Sequence, residues 1–176
     1  MYNFLMSAYN HFDFVYPKFY KMDALSKLGW LAAEVMLKGS FNQKSYKPEE
    51  IGVVLSNANA SLDTDLRYFE TTKEFASPSL FVYTLPNIVN GEICIRHHFK
   101  GENAFFIQEK FDTEIIEQYV NNLVNNNILQ ACICGWVDVL KEDYEAMLFL
   151  VEKNNAANSI AFTAENMKSL NQINRK

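Results

Sequence analysis

Cysteine and histidine are the residue types of this sequence whose side chains are best suited to nucleophilic, general-base or metal-ligating chemistry. The cysteines are Cys94, Cys132 and Cys134. Cys132 and Cys134 lie in an apolar run, and strand alternation would send both side chains to the same face, as a metal or redox pair would require. Because buried cysteine behaves as a small hydrophobe, the pattern favours core thiols. Their odd number argues against a disulfide framework.

The three histidines are His11, His97 and His98. His97 and His98 are neighbours, about 100° apart around a helix, so they cannot both point into one catalytic site. We therefore interpret them as solvated surface histidines rather than as a catalytic pair.

Motifs for familiar cofactor or hydrolytic chemistry do not occur in the sequence. It has no Gly-rich phosphate loop, no Gly-x-Ser-x-Gly turn and no His-Glu-x-x-His helix. The sequence therefore predicts no cofactor and no metal site.

Hydrophobic periodicity predicts helices and strands that alternate along the chain. Asp23 is an N-cap type of residue before the first long helix, which Gly39 ends, and Asp112 or Thr113 caps a later one. Ser77 and Pro78 predict a turn, and Pro86 fits the first turn of a helix. The predicted helices cover 25–36, 63–75, 86–98 and about 113–124. The predicted strands cover 51–55, 104–107, 128–140, 147–151 and 160–162, with an aromatic leader over 1–21 and a polar tail over 168–176.

This order of elements predicts an α/β fold with a mixed central sheet of about five strands and helices packed on its faces. Gly135 marks a kink or close approach in the central strand 128–140. The charged segment 141–143 should join this strand to 147–151 as an antiparallel hairpin at the sheet edge.

Composition indicates one globular domain over residues 1–176. The chain is 49% hydrophobic and 21% charged, with a formal net charge of -5. No cluster of Lys or Arg follows the chain, so nucleic acid and anionic membranes are discounted as partners. A signal peptide and a run of eighteen apolar residues are both missing, which predicts a cytoplasmic protein.

One stretch of sequence is more specific than these patterns. Residues 79–87 read SLFVYTLPN, followed by GEICIR at 91–96 and FKGEN at 99–103. This stretch resembles the β-ketoacyl-acyl-carrier-protein synthase family, in which a Leu-Pro-Asn helix leads to a Lys-Gly-Pro-Asn loop. Segments 25–34, 51–55 and 62–65 are also similar, and 144–152 resembles the strand that closes the N-terminal half. The resemblance implies a thiolase-like half-fold, with only the N-terminal half of the synthase in this chain.

The family's catalytic cysteine follows the strand after that loop, at the start of a buried helix, where the helix dipole and backbone N–H groups favour a thiolate and an oxyanion. Counting from Asn103, the resemblance puts Lys110 in the place of the cysteine, next to Glu109. The catalytic histidines of the family belong to the half that is missing. The resemblance therefore implies no 3-oxoacyl synthase activity.

Three functions remain open at this point. The first is a non-catalytic partner, similar to a chain-length-factor subunit of fatty acid, polyene or polyketide biosynthesis, which would bind a ketosynthase or an acyl carrier protein. The second is an acyl-transfer enzyme with altered chemistry, using Lys110 as nucleophile or Glu109 as base. The third is a self-association module. In the family, the strand before the nucleophile pairs across the dimer axis, which here predicts a homodimer or heterodimer through Phe105, Phe106 and Ile107. Either that dimer or the aromatic leader should cover the sheet face left by the missing half.

Overall fold

The computed structural model describes residues 1–153 and 159–173 and contains a four-stranded mixed sheet with helices on both faces. The strands are β1 Ile51–Asn57, β2 Asn103–Ile107, β3 Ala131–Leu140 and β4 Asp143–Glu152. The helices are α1 Tyr2–His11, α2 Ala24–Leu37, α3 Leu62–Thr71, α4 Pro78–Val82, α5 Ile88–His97, α6 Thr113–Asn125 and α7 Ala164–Ile173.

The strand order is β2-β1-β3-β4. β1 runs parallel to both β2 and β3, with Leu55 opposite Phe105 and Gly135, and each residue of β1 is buried. β3 and β4 form the predicted antiparallel edge hairpin. Gly135 has a φ of +146°, and a Cβ there would lie 2.0 Å from the carbonyl oxygen of Met147. The close approach predicted at Gly135 is therefore confirmed.

The predicted fifth strand, 160–162, is wrong. Residues 159–163 form an irregular segment that leads into α7, where Ile160 is exposed and Phe162 packs against the buried apolar cluster that contains Val54 and Cys134. The hydroxyl of Thr163 accepts a hydrogen bond from Asn166 N at 3.2 Å, which is a helix-capping contact. Ile160 and Phe162 therefore precede the start of a helix instead of forming a strand. α7 includes the described part of the predicted polar tail. Residues 174–176 of that tail lie outside the described residues.

Side-chain caps begin the predicted helices. Asp23 accepts a hydrogen bond from Ser26 N at 3.0 Å, and Asp112 accepts one from Ile115 N at 3.1 Å, as expected of N-cap carboxylates. Ser77 caps the short helix α4, so Ser77 and Pro78 begin a helix where a turn was predicted. The prediction that Pro86 lies in the first turn of a helix is also wrong, because α5 begins two residues later, at Ile88.

Two apolar cores cover the two faces of the sheet. On one face, α2 and α5 pack on β1 and β3, and the aromatic leader packs over α2, where the rings of Tyr9 and Phe19 stack with centroids 4.4 Å apart. On the other face, α6 and α7 cover Val54 and Cys134. The leader therefore lies on the α2 side of the sheet, and α6 and α7 lie on the opposite side.

No helix within residues 1–153 and 159–173 is long and apolar enough to cross a membrane.

Candidate functional site

The candidate site is the junction between β2 and α6, where the resemblance places the family's nucleophile. Glu109 and Lys110 lie in the bend between the end of β2 and the cap residue Asp112. Both side chains are exposed, and neither forms an ion pair with a described residue. The nearby carboxylates of α6 have other partners, since Asp112 caps the helix and Glu114 pairs with Lys168.

An exposed side chain in a solvated bend lacks the apolar surroundings that activate a nucleophilic lysine. The positive end of α6 also disfavours a cation nearby. The junction therefore presents Lys110 as a surface cation.

Gln108 is a polar residue of this junction that sequence reasoning missed. Its backbone N–H continues the strand ladder by donating to Asn57 O at 2.8 Å. Both polar atoms of its side-chain amide are buried and have no hydrogen-bond partner among the described residues. Burying an amide costs free energy of folding unless its polar atoms form hydrogen bonds. The sequence does not indicate this burial, because Gln108 is a single glutamine that follows the apolar pair Phe106-Ile107 and precedes Glu109.

Asp138 on β3 holds the loop that follows β1. Its Oδ1 accepts hydrogen bonds from Ala58 N at 3.2 Å and Asn59 N at 3.0 Å, and its Oδ2 accepts one from Asn59 Nδ2 at 2.6 Å. Asn57 closes the same loop through two side-chain bonds with Ala60, at 2.8 and 2.9 Å. These contacts order the carboxyl end of β1, where sites of α/β sheets form. An isolated Asp inside a strand with β-branched neighbours was the available signal for this contact.

Aromatic rings lie on the α6 side of the sheet next to the junction. Phe111 follows Lys110, and its ring centroid is 5.9 Å from that of Trp136 and 6.3 Å from that of Phe149. The residue adjacent to the proposed position of the family's cysteine is thus part of an apolar contact.

The three cysteines lie away from the junction. Cys132 and Cys134 are fully buried on the α6 face, which confirms the prediction of core thiols on one face. Burial raises the pKa of both thiols well above its usual range, and burial raises the pKa of Cys94 to about 11. All three are therefore protonated near neutral pH, and the thiolate, not the thiol, is the nucleophile. No group of three metal-binding side chains occurs within the part of the chain that the structure describes.

The histidines are not gathered at the junction either. His97 and His98 lie at the carboxyl end of α5, before β2 begins, whereas Lys110 follows the other end of that strand. His98 is exposed, as predicted. The prediction for His97 is wrong, because its Nε2 lies 2.8 Å from Glu34 Oε1, and its side chain is only 17% exposed. His11 is exposed at the end of α1.

Glu34 is the centre of a charged cluster that joins α2 to α5. The carboxylate accepts a hydrogen bond from Arg96 Nε at 3.1 Å and contacts His97. Burial alone would raise the pKa of Glu34, but the contacts with His97 and Arg96 outweigh it and hold the pKa below its ordinary value.

The edge strand β2 carries the three residues predicted to pair across a dimer axis. Phe105 packs towards the core under α2 and α5, and Phe106 contacts Tyr119 with ring centroids 5.1 Å apart. Ile107 is 53% exposed. Within the described residues β2 pairs with β1 alone, so its outer edge is open.

Comparisons with known proteins find similar solved structures. No protein-family model and no curated protein matches the sequence. One similar structure is the ishigamide ketosynthase/chain length factor, with a TM-score of 0.64 and 21% identity, over 78% of this chain and 46% of that chain. Another is AntDE:AntF, a type II polyketide synthase acyl-carrier protein in complex with its ketosynthase bound to the hexaketide. It has a TM-score of 0.59 and 18% identity, over 73% of this chain and 39% of that chain.

At these identities the likeness shows the fold alone. The chain has an α/β, thiolase-like half-fold of the ketosynthase/chain-length-factor type, as predicted, with four described strands instead of about five. It spans less than half the length of the two chains it resembles.

Proposed function

We propose that this chain is a non-catalytic, ketosynthase-like partner protein, comparable to a chain-length-factor subunit of fatty acid, polyene or polyketide biosynthesis. The observation that carries the proposal is an exposed apolar surface over 62–85, which we call the α3–α4 surface. Seven large apolar side chains in this segment are at least 41% exposed. They are Leu62, Leu66, Phe69, Phe75, Phe81, Val82 and Leu85.

Apolar side chains collected in one surface segment mark a protein contact more often than single exposed residues do. Phe75 is 78% and Phe69 is 65% exposed. The open edge of β2 supplies main-chain donors and acceptors to which a strand of a partner can bond. Both features support docking to a ketosynthase, or to a second copy, as the activity of this chain.

The chemistry of the β2–α6 junction supports a non-catalytic function. Lys110 stands where the resemblance places the family's cysteine, and it is exposed. The three thiols of the chain are protonated near neutral pH and belong to α5 and β3. Reduced thiols of this kind are also consistent with a cytoplasmic site of action.

Docking is tested by light scattering during size-exclusion chromatography, with the chain alone and mixed with a purified type II ketosynthase. We expect a dimer or a complex of one-to-one mass. Phe81→Asp should dissociate it, because a carboxylate would be buried in an apolar contact. Val15→Asp is the matched control, since Val15 is 78% exposed outside the α3–α4 surface. A monomer at micromolar concentration in both samples would contradict the docking proposal.

A second candidate function is acyl transfer through Lys110, whose ammonium has no acidic partner among the described residues. The chain is incubated with acetyl- and malonyl-acyl carrier protein, and intact mass is measured. We expect no adduct on the wild type or on Lys110→Met. An adduct on any residue would overturn the non-catalytic proposal, and its loss in Lys110→Met would assign the nucleophile.

A further inference from the structure

A cavity of about 540 Å³ lies between the leader, α2, α3 and the β3–β4 turn, away from the β2–α6 junction. Its volume is within the range of small-molecule sites. Its lining brings together basic side chains from four separate parts of the chain: Lys21, Lys27, Arg67 and Lys141. We call it the Lys27 cavity.

Lys27 is the buried member of this set. It is 6% exposed, and its Nζ donates a hydrogen bond to Met22 O. No second acceptor for its three N–H donors occurs among the described residues, although the ammonium lies 5.8 Å from the ring centroid of Tyr2 and 5.9 Å from that of Phe19. A buried ammonium with unused donors at the wall of a cavity is suited to an anionic acceptor.

The other basic side chains are also unpaired. Lys21, Arg67 and Lys141 are exposed, and none forms an ion pair with a described residue. Burial lowers the pKa of Lys27, Asp23 opposes this, and the Arg67 charge adds to it. A negative charge in the cavity would relieve that repulsion.

The carboxylates of the lining are already engaged. Asp23 accepts hydrogen bonds from Ser26 N at 3.0 Å and from the Thr64 hydroxyl at 2.8 Å. Asp63 accepts one from Lys141 N at 2.9 Å, and Glu142 pairs with the Met1 amine at 2.7 Å. These acids therefore have other partners in the walls, and none of them forms an ion pair with the four basic side chains.

The rest of the lining is apolar or aromatic, including Leu5, Tyr20, Leu80 and Tyr83. Such side chains can contact the body of a ligand, while the basic groups hold its charged end. We propose that the Lys27 cavity binds a small organic anion, with a carboxylate or phosphate head group on an apolar body. This inference does not depend on the proposed function.

The test is isothermal titration of the full chain, at constant ionic strength, with four probes. These are phenyl phosphate, 3-phenylpropanoate, inorganic phosphate and benzyl alcohol. Both aryl anions should bind, inorganic phosphate more weakly, and the neutral alcohol not at all. Binding of only one aryl anion would support the site and assign its head group. Binding of benzyl alcohol as tight as that of the aryl anions, or no binding of either aryl anion, would overturn the proposal.

Variants locate the binding. Arg67→Gln and Lys141→Gln should each weaken binding about tenfold, since each removes one charge-assisted contact. Lys44→Gln is the matched control, because Lys44 is exposed, lacks an ion pair and lies outside the cavity. Arg67 and Lys141 are exposed, so their variants should fold even if a variant of the buried Lys27 does not. Wild-type affinity in both would show that the anion binds elsewhere and would overturn the proposal.

Discussion

Gln108 carries a buried side-chain amide just after the carboxyl end of β2. The structure gives its amide no partner, although both polar atoms are buried. At the level of single residues, the junction is therefore defined by an exposed cation at Lys110 and a buried, unbonded amide two positions before it. Neither side chain has a partner among the described residues, so each could act only on a molecule or protein that binds at the junction.

Gln108→Met is expected to stabilise the isolated protein. Methionine has a similar volume and removes the unbonded amide, so the free energy of unfolding should rise by about 1–3 kcal/mol. The melting temperature should rise by about 2–4 °C for each kcal/mol in a chain of this size. Thermal unfolding followed by circular dichroism measures it. Gln118→Met on the exposed side of α6 is the control and should change little; a melting temperature for Gln108→Met below that of wild type would show that the amide is bonded.

At the level of elements, polar side chains join helices and strands that the chain order leaves apart. Asp23 caps α2 and also accepts a hydrogen bond from Thr64 on α3. Glu34 joins α2 to α5, and Asp138 joins β3 to the loop after β1. Each contact fixes the relative position of two elements that are not neighbours in the chain.

The Glu34 cluster predicts a loss of stability in acid. Because the pKa of Glu34 is lower in the folded protein than in the unfolded chain, its contribution is present above the unfolded pKa of about 4.3 and is lost as pH falls through the folded pKa. Glu34→Gln should cost about 1–3 kcal/mol at pH 7 and should lose less stability than wild type below about pH 4.3. Urea titrations at pH 7 and at pH values from 5 to 3 measure both effects.

Glu49→Gln is the matched control for that titration, since Glu49 pairs with Lys100 at 3.9 Å while both side chains are more than 60% exposed. An exposed pair of this kind contributes little. Equal acid sensitivity in Glu34→Gln and wild type would contradict the assignment to Glu34.

Asp138→Ala is expected to loosen the loop after β1. It removes the carboxylate that accepts hydrogen bonds from two backbone N–H groups and one side-chain amide, so the free energy of unfolding should fall by about 1–3 kcal/mol. The amides of Ala58 and Asn59 should exchange faster with deuterium, which mass spectrometry or NMR measures. Asp143→Ala, at the exposed start of β4, should leave these two amides unchanged. If both variants exchange alike, the loop is not held by Asp138.

At the level of the whole molecule, the sheet of this half-fold is covered on both faces from within the chain. α2, α5 and the leader cover one face, and α6 and α7 cover the other. The apolar surface left exposed is therefore not a sheet face but the α3–α4 surface, with the open edge of β2. Partner docking at these two places leaves both cores intact.

Met167→Ala tests whether α7 covers the second face. Met167 is 2% exposed and packs with residues of α6, so truncation should lower the free energy of unfolding by about 2–5 kcal/mol. Chemical denaturation measures the loss. Ile160→Ala is the control, because Ile160 is 61% exposed in the segment before α7 and should contribute little. A cost for Met167→Ala no greater than for Ile160→Ala would mean that α7 does not pack there in solution.

Local patterns account for most of the fold that could be predicted. The caps at Asp23 and Asp112, the buried strand β1 and the β3–β4 hairpin follow from neighbouring residues, so the sequence specifies them directly. The strand predicted at 160–162 failed because two apolar residues also suit a helix start. The bend at Lys110 follows from the cap at Asp112, while the match of Lys110 to the family's cysteine stays a prediction.

By itself, the sequence determined the α/β class, the order of the main elements and the placement of Cys132 and Cys134 in a strand interior, because periodicity and capping act over a few residues. Tertiary structure decided which distant polar groups meet. It placed His97 on Glu34 and buried the amide of Gln108. It also gathered four basic residues, from Lys21 to Lys141, in a protein whose sequence shows no basic cluster. These contacts depend on packing between segments that are distant in the sequence, and such packing produces no periodic pattern in the sequence.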